Sequence, residues 1–238
     1  NDINFISQSF GFETAVYKAT EAIECAHTEA CGTPNGIGLV KLMGRESGFI
    51  AAQSTLALKD VNFVLIPEAQ FQLEGEGGLL PAVEQRLRER GHAVIVTAEG
   101  AGQHLLAHHT ETDPSGNRVL GNVADLLRQE IKRYLNHKKI EHSVKFIDPS
   151  YIIRSVPAQA GDKVYCGFLG QYAVHAAMAG RTDMVVAKLQ DRYVHLPLKL
   201  VTTSRRKLNI YSDLWRAVLE STGQGMLKGM LPPPGKRQ

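Results

Sequence analysis

The chain has no apolar run approaching the ~20 residues that a membrane-spanning helix needs, although hydrophobic residues make up 43% of its 238 positions. No membrane partner is therefore expected. Charge of either sign is not in excess: 27 Lys and Arg against 24 Asp and Glu leave a net +3, too small and too dispersed to call for nucleic acid. There are only three cysteines, Cys25, Cys31 and Cys166, odd in number and without a CxxC pair. That excludes a disulfide framework and suits a reduced, cytoplasmic setting. Neither a GxGxxG fingerprint nor a P-loop is present, which argues against a dehydrogenase-like dinucleotide binder. Internal repeats and low-complexity linkers are lacking too. The length allows one large or two small domains with a sizeable core.

What is present alternates. Apolar positions at helical spacing predict helices over Phe12–Ala30, Gly48–Lys59, Leu79–Arg90 (closed by Gly91), Val123–His137, Lys163–Gly180 and Tyr211–Thr222. Short β-branched runs predict strands at Gly36–Met43, Asn62–Ile66, Ala93–Thr97, Val144–Ile147, Asp183–Leu189 and Tyr193–Leu198. Glu68–Gly78, Leu105–Arg118 and Asp148–Ala160 read as loops, and Leu231–Gln238 as a disordered tail. This order predicts an α/β fold, a layered and mostly parallel sheet flanked by helices. The opening, Asn1-Asp2-Ile3-Asn4, reads like the interior of a longer protein.

The most informative stretch is Gly36–Ala52, GIGLVKLMGRESGFIAA. A buried strand, a break at Gly44, Arg45, and Ser47 placed as N-cap of a new helix put backbone N–H groups beside a guanidinium. Such a turn is an anion site at the carboxyl edge of a sheet, or an ordinary βα turn facing water. Glu99 leaves another buried strand into the loop Glu99-Gly-Ala-Gly-Gln103, where it either caps the next segment or accepts hydrogen bonds from a ligand. Asp148-Pro-Ser-Tyr-Ile-Ile-Arg154 is too apolar for an idle surface loop. His104, His108 and His109 lack the carboxylate or cysteine spacing of a metal site, and Arg205-Arg-Lys207 reads as a solvated loop.

MGRESGFIA within GLVKLMGR resembles the 6-phosphofructokinases, most closely their plant and protist type, and the other stretches follow in family order from Asn1 to about Leu200. The resemblance implies a phosphofructokinase-like fold. Residues 1–230 would be the sugar-phosphate-binding portion, part of one α/β lobe and most of a second. It implies transfer of the γ-phosphoryl of MgATP to the 1-hydroxyl of fructose 6-phosphate, with ATP and Mg²⁺ required and a homo-oligomer sharing its sites.

Carried over residue by residue, Met43, Gly44 and Arg45 would line the sugar-phosphate pocket, with Arg45 stabilising charge near the transferred group. Glu99 would accept from sugar hydroxyls. Tyr151, Ile152, Ile153 and Arg154 would close over the sugar phosphate, Arg154 binding it as a planar fork. Lys145 falls where many bacterial relatives carry an Arg given by a neighbouring subunit, and Gly36 where they carry another. Asp2 would be the second acid of the family's T-I-D-N-D motif and a Mg²⁺ contact, or simply a solvated carboxylate; the motif's first Asp, the base, would precede Asn1. The family's G-G-D-G-[ST] donor loop does not occur in these 238 residues. Pyrophosphate as donor, or a non-catalytic sugar-phosphate-binding chain, are the alternatives.

Overall fold

The computed structural model describes residues 2–106, 119–225, 227 and 229–230. The expected irregular stretch with His108 and His109, the tail 231–238 and Asn1 lie outside them.

In chain order the described elements begin with α1 (Phe12–Cys31), β1 (Gly36–Leu42), α2 (Phe49–Leu58), β2 (Phe63–Leu65), α3 (Leu79–Arg90) and β3 (His92–Ala98). They continue with α4 (Val123–His137), β4 (Ser143–Ile147), α5 (Ser150–Ser155) and α6 (Ala160–Met178). The series closes with β5 (Met184–Leu189), β6 (Arg192–Pro197), α7 (Leu198–Thr202) and α8 (Asp213–Thr222). β1 to β4 form a parallel sheet in the order β2-β3-β1-β4. α1 and α2 pack together on one face, α3 and α4 on the other. β1 and β3 are buried almost throughout, as the central strands of a doubly covered sheet must be.

α1 lies unusually close to β1. A Cβ on Gly38 would stand 2.7 Å from the carbonyl oxygen of Ala26. The helix face there is Ala19, Ile23, Ala26 and Ala30, all fully buried, so small residues on both sides set the spacing of the layer.

Two expectations change. β5 and β6 do not extend the parallel sheet; they pair antiparallel as a separate ribbon, from Met184↔Pro197 to Leu189↔Arg192. The two-residue turn Gln190-Asp191, with φ of 46° and 63°, closes it as a hairpin, and a turn that short cannot make a parallel crossover. Secondly, the loop expected over Asp148–Ala160 holds the short helix α5. Pro149 stands at its N-cap position, where a missing N–H costs nothing.

Helix ends are tied by carboxylates distant in sequence. Asp162, in the first turn of α6 and fully buried, accepts from the Gly11 amide at 2.8 Å, the Thr14 amide at 2.8 Å and the Thr14 hydroxyl at 2.6 Å. The same hydroxyl accepts from the Gln159 amide at 2.9 Å, so the N-termini of α1 and α6 cap each other. Asp162→Ala orphans three donors at the start of α1, the Gly11 and Thr14 amides and the Thr14 hydroxyl. It is expected to lower the unfolding free energy by about 2–3 kcal/mol, read from denaturant midpoints at constant m. A loss under about 0.5 kcal/mol would mean that water replaces the carboxylate freely.

Candidate active site

The carboxyl edge of the sheet carries the chemistry because the chain reverses direction there. From β1 the chain leaves through α2 on one face, and from β3 through α4 on the other, so the two departures open a crevice between adjacent strands. Met43-Gly44-Arg45 follows β1, Glu99-Gly100 follows β3, and Asp148 to Arg154 follows β4.

Backbone pairing does not stop where the strands do. The Glu99 amide donates to the Leu42 carbonyl and the Gly100 amide to the Gly44 carbonyl, both at 2.9 Å. Gly100 makes this possible, since a Cβ there would stand 1.8 Å from the Arg45 carbonyl oxygen. Gly44 itself has φ 144°, a conformation open to glycine and strained for other residues. The side chains of Arg45 and Glu99 therefore project from one joined platform, Nη1 to Oε1 3.9 Å apart. A contact of that length between part-exposed groups is worth at most about 1 kcal/mol, so a ligand can displace it. A cavity of about 340 Å³ opens beside them, lined also by Lys41, Leu120 and Asn122.

From β4, Arg154 reaches across to place its Nε 3.3 Å from the Met43 sulfur. Asp148 sits below it, its carboxylate 2.7 Å from Lys41 Nζ and accepting from the Ser150 amide and hydroxyl. Burial would raise the Asp148 carboxyl, but the bonds from Lys41 and Ser150 outweigh it and hold it below the usual carboxylate range. Met43, Gly44, Arg45, Glu99 and Arg154 are thus brought together. Lys41 belongs with them, and its signal in the sequence is that it is the one charged residue in an otherwise apolar strand.

Other expected site residues fare differently. Tyr151 is 84% exposed and Ile152 60%, on the outer side of α5 at the same edge. Ile153 is buried in the core and its amide is bonded to Pro149, so its side chain offers nothing to a ligand. Lys145 lies opposite Gly38 in β4, four positions before Leu42, or roughly 13 Å back along the strand. It faces Glu29 of α1 at 3.8 Å, and within one chain it does not join the group.

Asp2 pairs with Arg205 at 3.7 Å, which also approaches Glu46 at 3.9 Å, next to the Arg45 turn. The segment expected to be a solvated loop is therefore stitched to the body. Arg205 forms a bridge with Ile3, and Arg206 lies over the Phe49 ring. His104 Nε2 donates to the Phe71 carbonyl, 2.8 Å away, within a packed contact with that ring.

Ser47 is not the N-cap of α2. Gly48 takes that position and its amide donates to Glu68 Oε1 at 3.1 Å, the same oxygen that accepts from the Leu208 amide at 2.7 Å. A carboxylate of the protein's own thus sits at the helix start where an anion was expected, and the cationic side chains are left to meet a ligand's charge. Burial, the largest influence, raises the Glu68 carboxyl despite these bonds.

Comparison with known proteins places this edge in context. A family profile described as Phosphofructokinase matches residues 1–177. An ATP-dependent 6-phosphofructokinase of Amycolatopsis methanolica is 49% identical over 231 residues, covering 94% of this chain and 50% of the relative. ATP-dependent 6-phosphofructokinase 7 of Arabidopsis thaliana is 47% identical over 232 residues, covering 96% of this chain and 48% of the relative. The crystal structure of a pyrophosphate-dependent phosphofructokinase from Marinobacter aquaeolei superposes with a TM-score of 0.68 at 24% identity, over 99% of this chain and 60% of that one. At that identity the likeness speaks for the fold. The chain spans about half the length of the curated relatives it matches.

Two outcomes test the site's construction. Gly100→Ala forces the Arg45 turn away, so the Glu99 amide should exchange its hydrogen at least about tenfold faster while Ile95 keeps its protection. Equal exchange at both would show that the turn absorbs the methyl. For Glu68, the folded state holds its proton more tightly than the unfolded chain does, so stability falls as pH rises above the ordinary carboxylate range. Glu68→Gln keeps an oxygen for both amides and removes the buried charge. Its stability should gain on the parent's as pH climbs from about 4 to 7 in denaturation series; parallel curves would rule out the burial cost.

Proposed function

This chain belongs to the phosphofructokinase family, and from that premise we propose that it forms the sugar-phosphate side of an ATP-dependent 6-phosphofructokinase. The reaction is transfer of the γ-phosphoryl of ATP to the 1-hydroxyl of fructose 6-phosphate. The observation that carries this reading is the joined platform at the carboxyl edge. There Arg45 and Glu99 stand over paired backbone and Arg154 comes within 3.3 Å of Met43.

The roles follow from the chemistry of the groups. Arg154, on the rim and free to swing from a soft sulfur contact, binds the 6-phosphate through two parallel N–H donors. Glu99 accepts from sugar hydroxyls and fixes the ring's orientation. Arg45, tethered by the Gly44 turn, holds positive charge where the transferred group becomes more negative. Phosphoryl transfer asks for positioning and charge neutralisation more than covalent help, and a rigid backbone platform supplies the positioning. Tyr151 and Ile152, exposed on α5, cover the sugar when it is bound. Lys145 points away from its own chain's platform and would serve a neighbouring copy, in keeping with a homo-oligomer that shares sites. The exposed free thiols of Cys25, Cys31 and Cys166 suit the cytoplasm.

The fit to Mg²⁺ is poor among the described residues. Asp2 is one carboxylate, already beside Arg205, whereas Mg²⁺ asks for a near-octahedral set of oxygens. When bound, the metal would neutralise charge on the donor phosphates.

In an enzyme that contains this chain, Arg154→Ala is expected to raise KM for fructose 6-phosphate by about tenfold or more, with a smaller loss of kcat. An unchanged KM would remove Arg154 from the phosphate site. Coupled assays of the same enzyme should show turnover with ATP; turnover with pyrophosphate alone would reverse the choice of donor. Fructose 6-phosphate binding without turnover on either donor would make the chain a sugar-phosphate sensor.

A further inference from the structure

At the opposite, amino edge of the sheet, the last turn of α1 meets the first residue of β3. His27 and Cys31 are four apart on the helix, so they share a face. His92 opens β3 beside them, its ring 5.3 Å from that of His27 in an edge-to-face arrangement. One ligand atom from each of the three lies within 4.8 Å of the others, and Cys31 Sγ is 3.6 Å from His27 Nε2. Two imidazoles and a thiol, drawn from two elements, are donors that bind zinc.

We propose that His27, Cys31 and His92 form a binding site for a thiophilic divalent transition metal, Zn²⁺ in the first instance. The distances support it. A tetrahedral ion with Zn–N near 2.0–2.1 Å and Zn–S near 2.3 Å holds its sulfur and nitrogen ligands about 3.5–3.6 Å apart. The Cys31–His27 pair already has that separation, and a ligand atom of His92 lies within 4.8 Å of both. A further contact favours the right tautomer: His92 Nδ1 is 3.2 Å from the Arg90 carbonyl, so its N–H points there and Nε2 is left as the ligand atom.

Binding replaces the thiol proton of Cys31, which leaves to solvent, and forms one metal–sulfur and two metal–nitrogen bonds. Arg86 anchors the start of β3, its Nε donating to the His92 carbonyl at 3.3 Å. Cys31 is exposed and both imidazoles are half-buried, so the ion enters from solvent and keeps water in its fourth position. Three ligands from two elements make the ion a clasp between α1 and β3. It lies at the far end of the sheet from the proposed catalytic edge and does not depend on that reading.

The test uses Co²⁺ as a coloured substitute, followed by displacement with Zn²⁺. Titration of the purified reduced chain should give a cobalt–thiolate charge-transfer band, saturating with a dissociation constant on the order of micromolar or tighter. Zn²⁺ should then abolish the band. Cys31→Ser should remove it, and His27→Ala and His92→Ala should each weaken binding by about tenfold or more. The double variant Cys25→Ser, Cys166→Ser should retain it. Zn²⁺ should raise the melting temperature of the parent but not of His92→Ala. No thiolate band, a band that survives Cys31→Ser, or a band indifferent to His92→Ala would overturn the assignment; circular dichroism of each variant checks that it is folded.

Discussion

Two backbone hydrogen bonds beyond the ends of β1 and β3 hold together everything that matters at the carboxyl edge. They join Glu99 to Leu42 and Gly100 to Gly44, and they exist because neither glycine brings a Cβ into the space. In most parallel sheets the loops after adjacent strands diverge, and the side chains they carry inherit the loops' freedom. Here the pairing persists for two residues more. A cation and a carboxylate are thereby fixed relative to each other without a strong bond between them, which suits groups meant to bind a third party.

The same economy appears in how helix ends are treated. Asp162 and Glu68, each distant in sequence from the amides they accept, occupy the starts of α1 and α2. Helix N-termini are common anion sites, and the turn before α2 has the residues for one. Its first amide is nonetheless satisfied from within. In the proposed reading anion recognition at this edge falls to side chains instead: Lys41 of β1, Arg45 in the turn after it, and Arg154 of α5. Guanidinium groups can follow a phosphate as a ligand settles, whereas a helix terminus cannot move.

The two ends of the sheet thus differ in chemistry. The carboxyl edge gathers cations and carboxylates around an open crevice. The amino edge brings two imidazoles and a thiol to one point where α1 crosses β3. α1 spans both, with its start tied to α6 through Asp162 and its last turn beside His92. Ala and Gly residues let it lie close against β1.

The sequence by itself determined the layered α/β class, the boundaries of α3 and α4 to the residue, and the turn residues Gly44, Arg45 and Glu99. Those features are local: hydrophobic period, a glycine stop, and a short string whose neighbours in the chain are its neighbours in space. It misjudged the α2 cap, the loop that became α5, the ribbon of β5 and β6, and the tethered segment at Arg205 and Arg206. For the cap and the basic segment the deciding partner is far away in the chain, whereas the ribbon follows from the two-residue turn Gln190-Asp191. Glu68 displaces Ser47 as the acceptor for the helix start, and Phe49 and Ile3 hold a basic segment that looks idle when read alone. Lys41 and Asp148, more than a hundred positions apart, meet only because β1 and β4 are neighbours in the sheet. Only the tertiary structure decided these points, because a hydrogen bond or ion pair depends on distance in space, and strand order alone sets which distant residues come within reach.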